Sequence, residues 1–177
     1  MNAIDTLLRA AEYSYSELLE ALDGVSEKLS WAVLPQGGAD YLHSDGSIHG
    51  IVLHIATCKI MYASAAFRNA EILWRDCAKR VETFEPNWKA ALDYLAEAHQ
   101  YWVSSWENLK DDDLDVERIH TSGNPRPTWK IIYTVIQHDS YHAGQIAMLR
   151  YALTETDKHP PSVAEDIRKY CANEPFW

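Results

Sequence analysis

This sequence predicts an all-α fold: a four-helix bundle with long inter-helix loops. Three observations support that class. Apolar residues recur at steps of three and four in four separate segments, polar or Gly/Pro-rich stretches divide those segments, and no segment shows the two-residue alternation of a strand. A chain of 177 residues with 47% apolar and 24% charged side chains suits one core. Residues 1–177 therefore read as a single domain, with 154–177, which include Pro160 and Pro161, as a C-terminal tail packed on the surface.

The first helix follows from Ile4, Leu7, Leu8, Ala11, Tyr15, Leu18 and Leu22, with Gly24 as a stop. Turn formers from Leu34 to Gly46 make a long loop, and Ser47 is placed to cap a second helix from about Ile48 to Phe67. A less regular stretch through Trp74 and Phe84 leads to Pro86. The third helix has the most regular stripe, Trp88, Leu92, Leu95, His99, Trp102, Trp106 and Leu109. A polar connection containing Lys110–Asp113 and Ser122–Pro127 precedes the fourth helix, Thr128 to about Leu153.

Charge narrows the partners. Lys+Arg 16 against Asp+Glu 26 leaves −10, a field that repels a phosphate backbone or an anionic membrane face, so the expectation is a small-molecule substrate with no nucleic acid and no membrane. Cys58, Cys77 and Cys171 are odd in number and widely spaced, which fits neither a disulfide framework nor a thiolate zinc site and suits a reducing compartment. Met1–Asp5 lacks the basic start of a secretory signal, and no run approaches the roughly 20 apolar residues of a membrane helix. These features read as a cytoplasmic protein. Seven tryptophans, and apolar stripes that look wide for one small core, predict a homodimer.

The chemistry lies on the fourth helix. Ile131, Val135, His138, His142, Gln145 and Leu149 form an apolar stripe whose three central positions are polar. Two stacked imidazoles in such a stripe need partners, and one shared metal ion would satisfy both, since the four-residue spacing sets their Cβ atoms about 6 Å apart. A third ligand should come from a facing helix. His54, flanked by Ile51, Cys58 and Met61, is the best candidate, whereas His49 lies about 140° round the same helix. His99 and Cys58 remain possible additions, each with a plainer reading as a core residue. His43, His120 and His159 read as solvated, and Asp139 as a structural ion pair rather than a catalytic base. Glu117 to His120 is the one Glu-x-x-His and falls in a polar loop; His-Glu-x-x-His, a Gly-rich phosphate loop and a Gly-x-Ser-x-Gly elbow are absent from the sequence.

Three neutral imidazoles leave a tetrahedral ion one open position, as in catalytic rather than structural zinc sites, and suit zinc, nickel or copper better than magnesium or calcium. Water or a thiol could be activated there. The other reading is a metal- or small-ligand-binding bundle without turnover.

The segment Gln137-His138-Asp139-Ser140-Tyr141-His142-Ala143-Gly144-Gln145-Ile146, with Trp129–Tyr133 before it, resembles the C-terminal motif of DinB/YfiT-like metalloenzymes. Ser47-Ile48 through His54-Ile55-Ala56 resembles their upstream histidine motif, so the likeness runs over essentially the whole chain. It implies a four-helix bundle holding a divalent metal, zinc or nickel, through His54, His138 and His142. Relatives in that family include bacillithiol-using thiol S-transferases, mycothiol-dependent isomerases and metal-dependent hydrolases. The resemblance therefore implies a hydrolase or thiol S-transferase, in the latter case with a low-molecular-weight thiol as cosubstrate.

Overall fold

The computed structural model describes residues 2–34, 45–84 and 87–154. The chain belongs to the all-α class, with six helices among the described residues: α1 (Ala3–Leu22), α2 (Glu27–Ser30), α3 (Ile48–Phe67), α4 (Trp74–Val81), α5 (Trp88–Ser104) and α6 (Thr128–Thr154). The long helices α1, α3, α5 and α6 are the four predicted, and they pack so that α3 lies against both α5 and α6 while α1 lies against α6. Side-chain oxygens fix their starts. Asn2 accepts from the Asp5 N–H at 2.7 Å, the predicted cap Ser47 accepts from Gly50 N–H at 2.9 Å, and Asn87 accepts from Ala90 N–H at 3.0 Å. Gly24 adopts φ 73° two residues beyond α1, the left-handed conformation that ends helices at least cost in glycine.

Some expectations need correction. The third predicted helix stops at Ser104 rather than Leu109, yet Trp106 is still buried because the turn that follows folds it under α5. Short α2 and α4 were not legible as helices, being one and two turns long. The polar connection contains two strands, β1 (Glu117–Ile119) and β2 (Pro125–Pro127), paired antiparallel. A three-residue ribbon is too brief to display alternation, and two prolines are tolerable only because β2 has a single neighbour. Helix α3 is long and apolar enough to cross a bilayer, contrary to the sequence reading; 56% of that stretch is buried, and its apolarity reflects its place between α5 and α6. The tail, His43, His159 and Cys171 lie outside the described residues.

Two apolar clusters make the core. One joins Leu18, Leu22, Ile51, Ile55, Leu95 and Ile146, and the other joins Ile4, Ala11, Ala63, Trp102, Trp106 and Ile132. Each long helix contributes a buried polar residue near the junction of the two: Ser14 on α1, Lys59 on α3, His99 on α5, Asp139 and His142 on α6. A polar layer thus cuts across the bundle, and the histidines belong to its edge.

Candidate metal centre

The structure brings His54, His138 and His142 together. One ring nitrogen from each lies within 4.8 Å of the other two. His138 Nε2 is 3.1 Å from His54 Nε2 and 3.1 Å from His142 Nε2. Two nitrogens bound at about 2.05 Å to one tetrahedral ion stand about 3.3 Å apart, so the spacing already approximates a shared coordination sphere. Hydrogen bonding alone serves such a trio poorly, because His138 Nε2 would have to play the same role, donor or acceptor, toward two imidazoles at once. The residues present therefore fit a divalent ion.

Local sequence explains the convergence. His138 and His142 are one turn apart on α6, and His54 projects from α3 across the α3–α6 junction. His142 is fully buried, and His54 and His138 are half-buried, which leaves the cluster reachable from one side. Around His142 the hydrogen-bond directions are determined. The Gln145 amide donates to the Tyr141 hydroxyl at 2.9 Å, so its Oε1 must accept, and His142 Nδ1–H is the donor at 2.6 Å. That tautomer leaves the Nε2 lone pair facing the cluster. The Tyr141 ring meets His142 edge-on at 5.1 Å between centroids and limits its rotation.

The other candidates lie elsewhere. Cys58 Sγ approaches His54 Nε2 at 3.7 Å, but the metal-ligand cluster among the described residues consists of the three histidines, and burial pushes the Cys58 thiol up to about 12. His99 stacks on Tyr15 at 3.7 Å, accepts from Lys59 Nζ at 3.3 Å through Nδ1 and faces Glu12 at 3.4 Å through Nε2. It is a core histidine held by side chains, with its pKa lowered to about 3 by burial and then by the Lys59 charge. His49 is buried against Trp31 and Trp88.

Asp139 does form an ion pair, though a buried one. Lys59 Nζ donates to its Oδ2 at 2.5 Å with both side chains fully buried, and the ammonium also lies 4.7 Å from the Trp102 ring centroid. Burial lowers the pKa of Lys59 and raises that of Asp139, and their mutual attraction opposes both shifts. Sequence reasoning passed over Lys59; a lysine amid Ile55, Ala56, Ile60 and Ala63 was the available signal. It also misplaced His120. That ring is half-buried on the ribbon, its Nε2 3.2 Å from the Tyr62 hydroxyl and its Nδ1 2.9 Å from Ser122 Oγ.

Comparison with known families agrees with this geometry. The sequence matches the DinB superfamily over residues 8–146, a span that includes all three histidines, and the chain belongs to that superfamily. No curated protein matches it.

Proposed function

We propose that this member of the DinB superfamily holds one divalent ion, zinc or nickel, on His54, His138 and His142 and uses it in a thiol-dependent transfer reaction on a small molecule. The observation that carries this reading is the donor set: three convergent imidazole nitrogens, with no carboxylate in the cluster among the described residues. An ion held there supplies a Lewis acid that favours the deprotonated form of a thiol or water in its remaining position. The chain's own part is positional. Gln145 and Tyr141 set the His142 tautomer and ring angle, and α3 and α6 hold the other two nitrogens in register.

The choice between a thiol and water rests on proton handling. Hydrolysis gains from a carboxylate beside the metal to take the proton of the attacking water. Asp139, the carboxylate nearest in sequence, is committed to Lys59 on another face of α6. A thiol, more acidic than water by several pKa units, has less need of such a base. Metal analysis of protein purified without chelator should find about one zinc or nickel per chain. A screen of thiol cosubstrates with small electrophiles should then give turnover that needs both metal and thiol. Ester or amide cleavage without thiol would assign a hydrolase instead, and stoichiometric metal with neither activity would favour a binding protein.

We further propose a cytoplasmic homodimer. Trp129, Tyr133, Tyr141, Met148 and Tyr151 are exposed within one sector of about 120° on α6, an apolar face that a second copy would cover. Sedimentation at micromolar concentration showing monomer alone would refute the dimer.

A further inference from the structure

The ribbon after α5 carries an unbalanced charge. Arg118 and Arg126 are direct partners across the β1–β2 pair, so their side chains leave the same face of a two-stranded ribbon. Like charges directly opposite destabilise such a pair, and a chain with 26 acidic residues and a net charge of −10 has ample means to neutralise them. It does not: among the described residues neither arginine forms an ion pair. Arg118 is steered by other contacts, with its Nε donating to Thr128 Oγ1 at 2.9 Å and its guanidinium 5.1 Å from the Phe67 ring centroid. These leave its two terminal nitrogens for another acceptor.

The position of this face connects it to the metal cluster. His120, two residues from Arg118 and just past the end of β1, meets Tyr62 on α3. Tyr62, Cys58 and His54 follow one another at four-residue steps, so they line one side of α3. The line runs from the histidines toward the ribbon. His54 to Tyr62 is about 12 Å along the helix and His54 to Phe67 about 20 Å. Burial and then the Arg126 charge lower the His120 pKa.

We propose that Arg118 and Arg126 form an anion-binding subsite, and that the small molecule handled at the histidine cluster is an elongated one whose far end is a carboxylate or phosphate. The guanidinium forks supply paired donors for either group, and the Tyr62–His120 couple lies on the path between the two ends. The second half of the proposal rests on the metal reading given above; the first half does not.

Two experiments separate the halves. In the full-length chain stripped of metal, inorganic phosphate and propionate are titrated separately at low ionic strength while amide and arginine Nε–H resonances are recorded. Saturable shifts confined to the ribbon, weakened at least about tenfold by Arg126→Gln, are expected, and the stronger anion identifies the favoured group. No saturable response to either, or the same response in Arg126→Gln, overturns the subsite. Arg126 is exposed, so its replacement leaves folding intact. In the metal-loaded chain, mercaptoalkanoates from mercaptoacetate to mercaptoundecanoate are compared with the uncharged mercaptoalcohols of equal length. The acid should bind about tenfold better than the alcohol only in the longer members, with the preference lost in Arg126→Gln. Equal binding of acid and alcohol at every length overturns the link between the two ends. If neither series binds a loaded chain, the metal reading fails while the phosphate titration still decides the subsite.

Discussion

Helices α3 and α6 each contribute to two buried polar groupings, and the two are built on opposite principles. His54 on α3 meets His138 and His142 on α6, and five residues along α3 Lys59 meets Asp139. The Lys59–Asp139 pair is complete in charge: an ammonium and a carboxylate at 2.5 Å, extended by His99 and Glu12. The histidine cluster offers three ring nitrogens, and no carboxylate joins them among the described residues. One grouping supplies its own cation, and the other has the donor atoms that could hold one. A buried polar residue in a bundle therefore says little about function until the charge of its partners is counted.

The largest expected effect tests the cluster. His138→Ala removes the nitrogen closest to both of the others, and metal affinity should fall by orders of magnitude, beyond the ~10–100-fold typical of an outer partner. His138 is half-buried, so little packing is lost, whereas His142→Ala would also empty a fully buried site. Melts with and without chelator check it: the wild type should lose stability on chelation and His138→Ala should be nearly indifferent. Equal responses in the two proteins would exclude His138 as a ligand. The contrasting region should behave in the opposite way. Lys59→Met strands a buried carboxylate and should cost about 3–5 kcal/mol in urea unfolding while metal stoichiometry holds. Adding Asp139→Leu should recover most of that loss, because an apolar pair of similar volume replaces the ions. If the double variant is as unstable as the single, the pair is not acting as a self-contained charge unit.

Part of this contrast was legible before the structure. The four long helices and the Ser47 cap follow from apolar periodicity and local hydrogen-bonding chemistry, both of which act within a few residues. His138 and His142 were visible because helical spacing alone makes them neighbours, and His54 because it lay on an inward stripe. The Lys59 interaction joins residues 80 apart and His120 finds Tyr62 58 residues away, and periodicity identifies a face without naming what it meets. His120 was read as solvated because its loop is polar; docking of the ribbon on α3 half-buries it. The family resemblance implied the same three histidines that helical spacing and the inward stripe had already pointed to.

Acid titration separates the regions further. Folded His99 has its pKa lowered to about 3 by burial and the Lys59 charge, against 6.5 when unfolded, with Glu12 and Tyr15 on α1, Lys59 on α3 and Asp139 on α6 around it. A base with a depressed folded pKa binds fewer protons folded than unfolded between those values. Its contribution to stability is thus complete above about 6.5 and is lost as pH falls toward 3, with a slope of up to about 1.4 kcal/mol per pH unit. Urea unfolding of metal-stripped wild type and His99→Gln across this range should show the wild-type curve falling more steeply. Parallel curves would mean that His99 is protonated as readily in the folded chain as in the unfolded one.

The smallest effect concerns Gln145, which touches the cluster only through His142. If its carbonyl fixes the Nδ1–H tautomer, Gln145→Leu should weaken metal binding by about 10–100-fold with the metal still bound at saturation, and with stability in the metal-stripped chain changed by about 1 kcal/mol or less. Gln145→Glu gives the opposite sign: a carboxylate in the same place is a stronger acceptor from Nδ1–H and raises the basicity of Nε2, so affinity should equal or exceed that of the wild type. The pair of variants distinguishes orientation from packing, since leucine and glutamate fill nearly the same space. A half-buried side chain that mattered only for packing would make Gln145→Leu neutral for metal and Gln145→Glu no better. That outcome would leave His142 oriented by the Tyr141 ring alone, and the centre would depend less on its surroundings than the 2.6 Å contact implies.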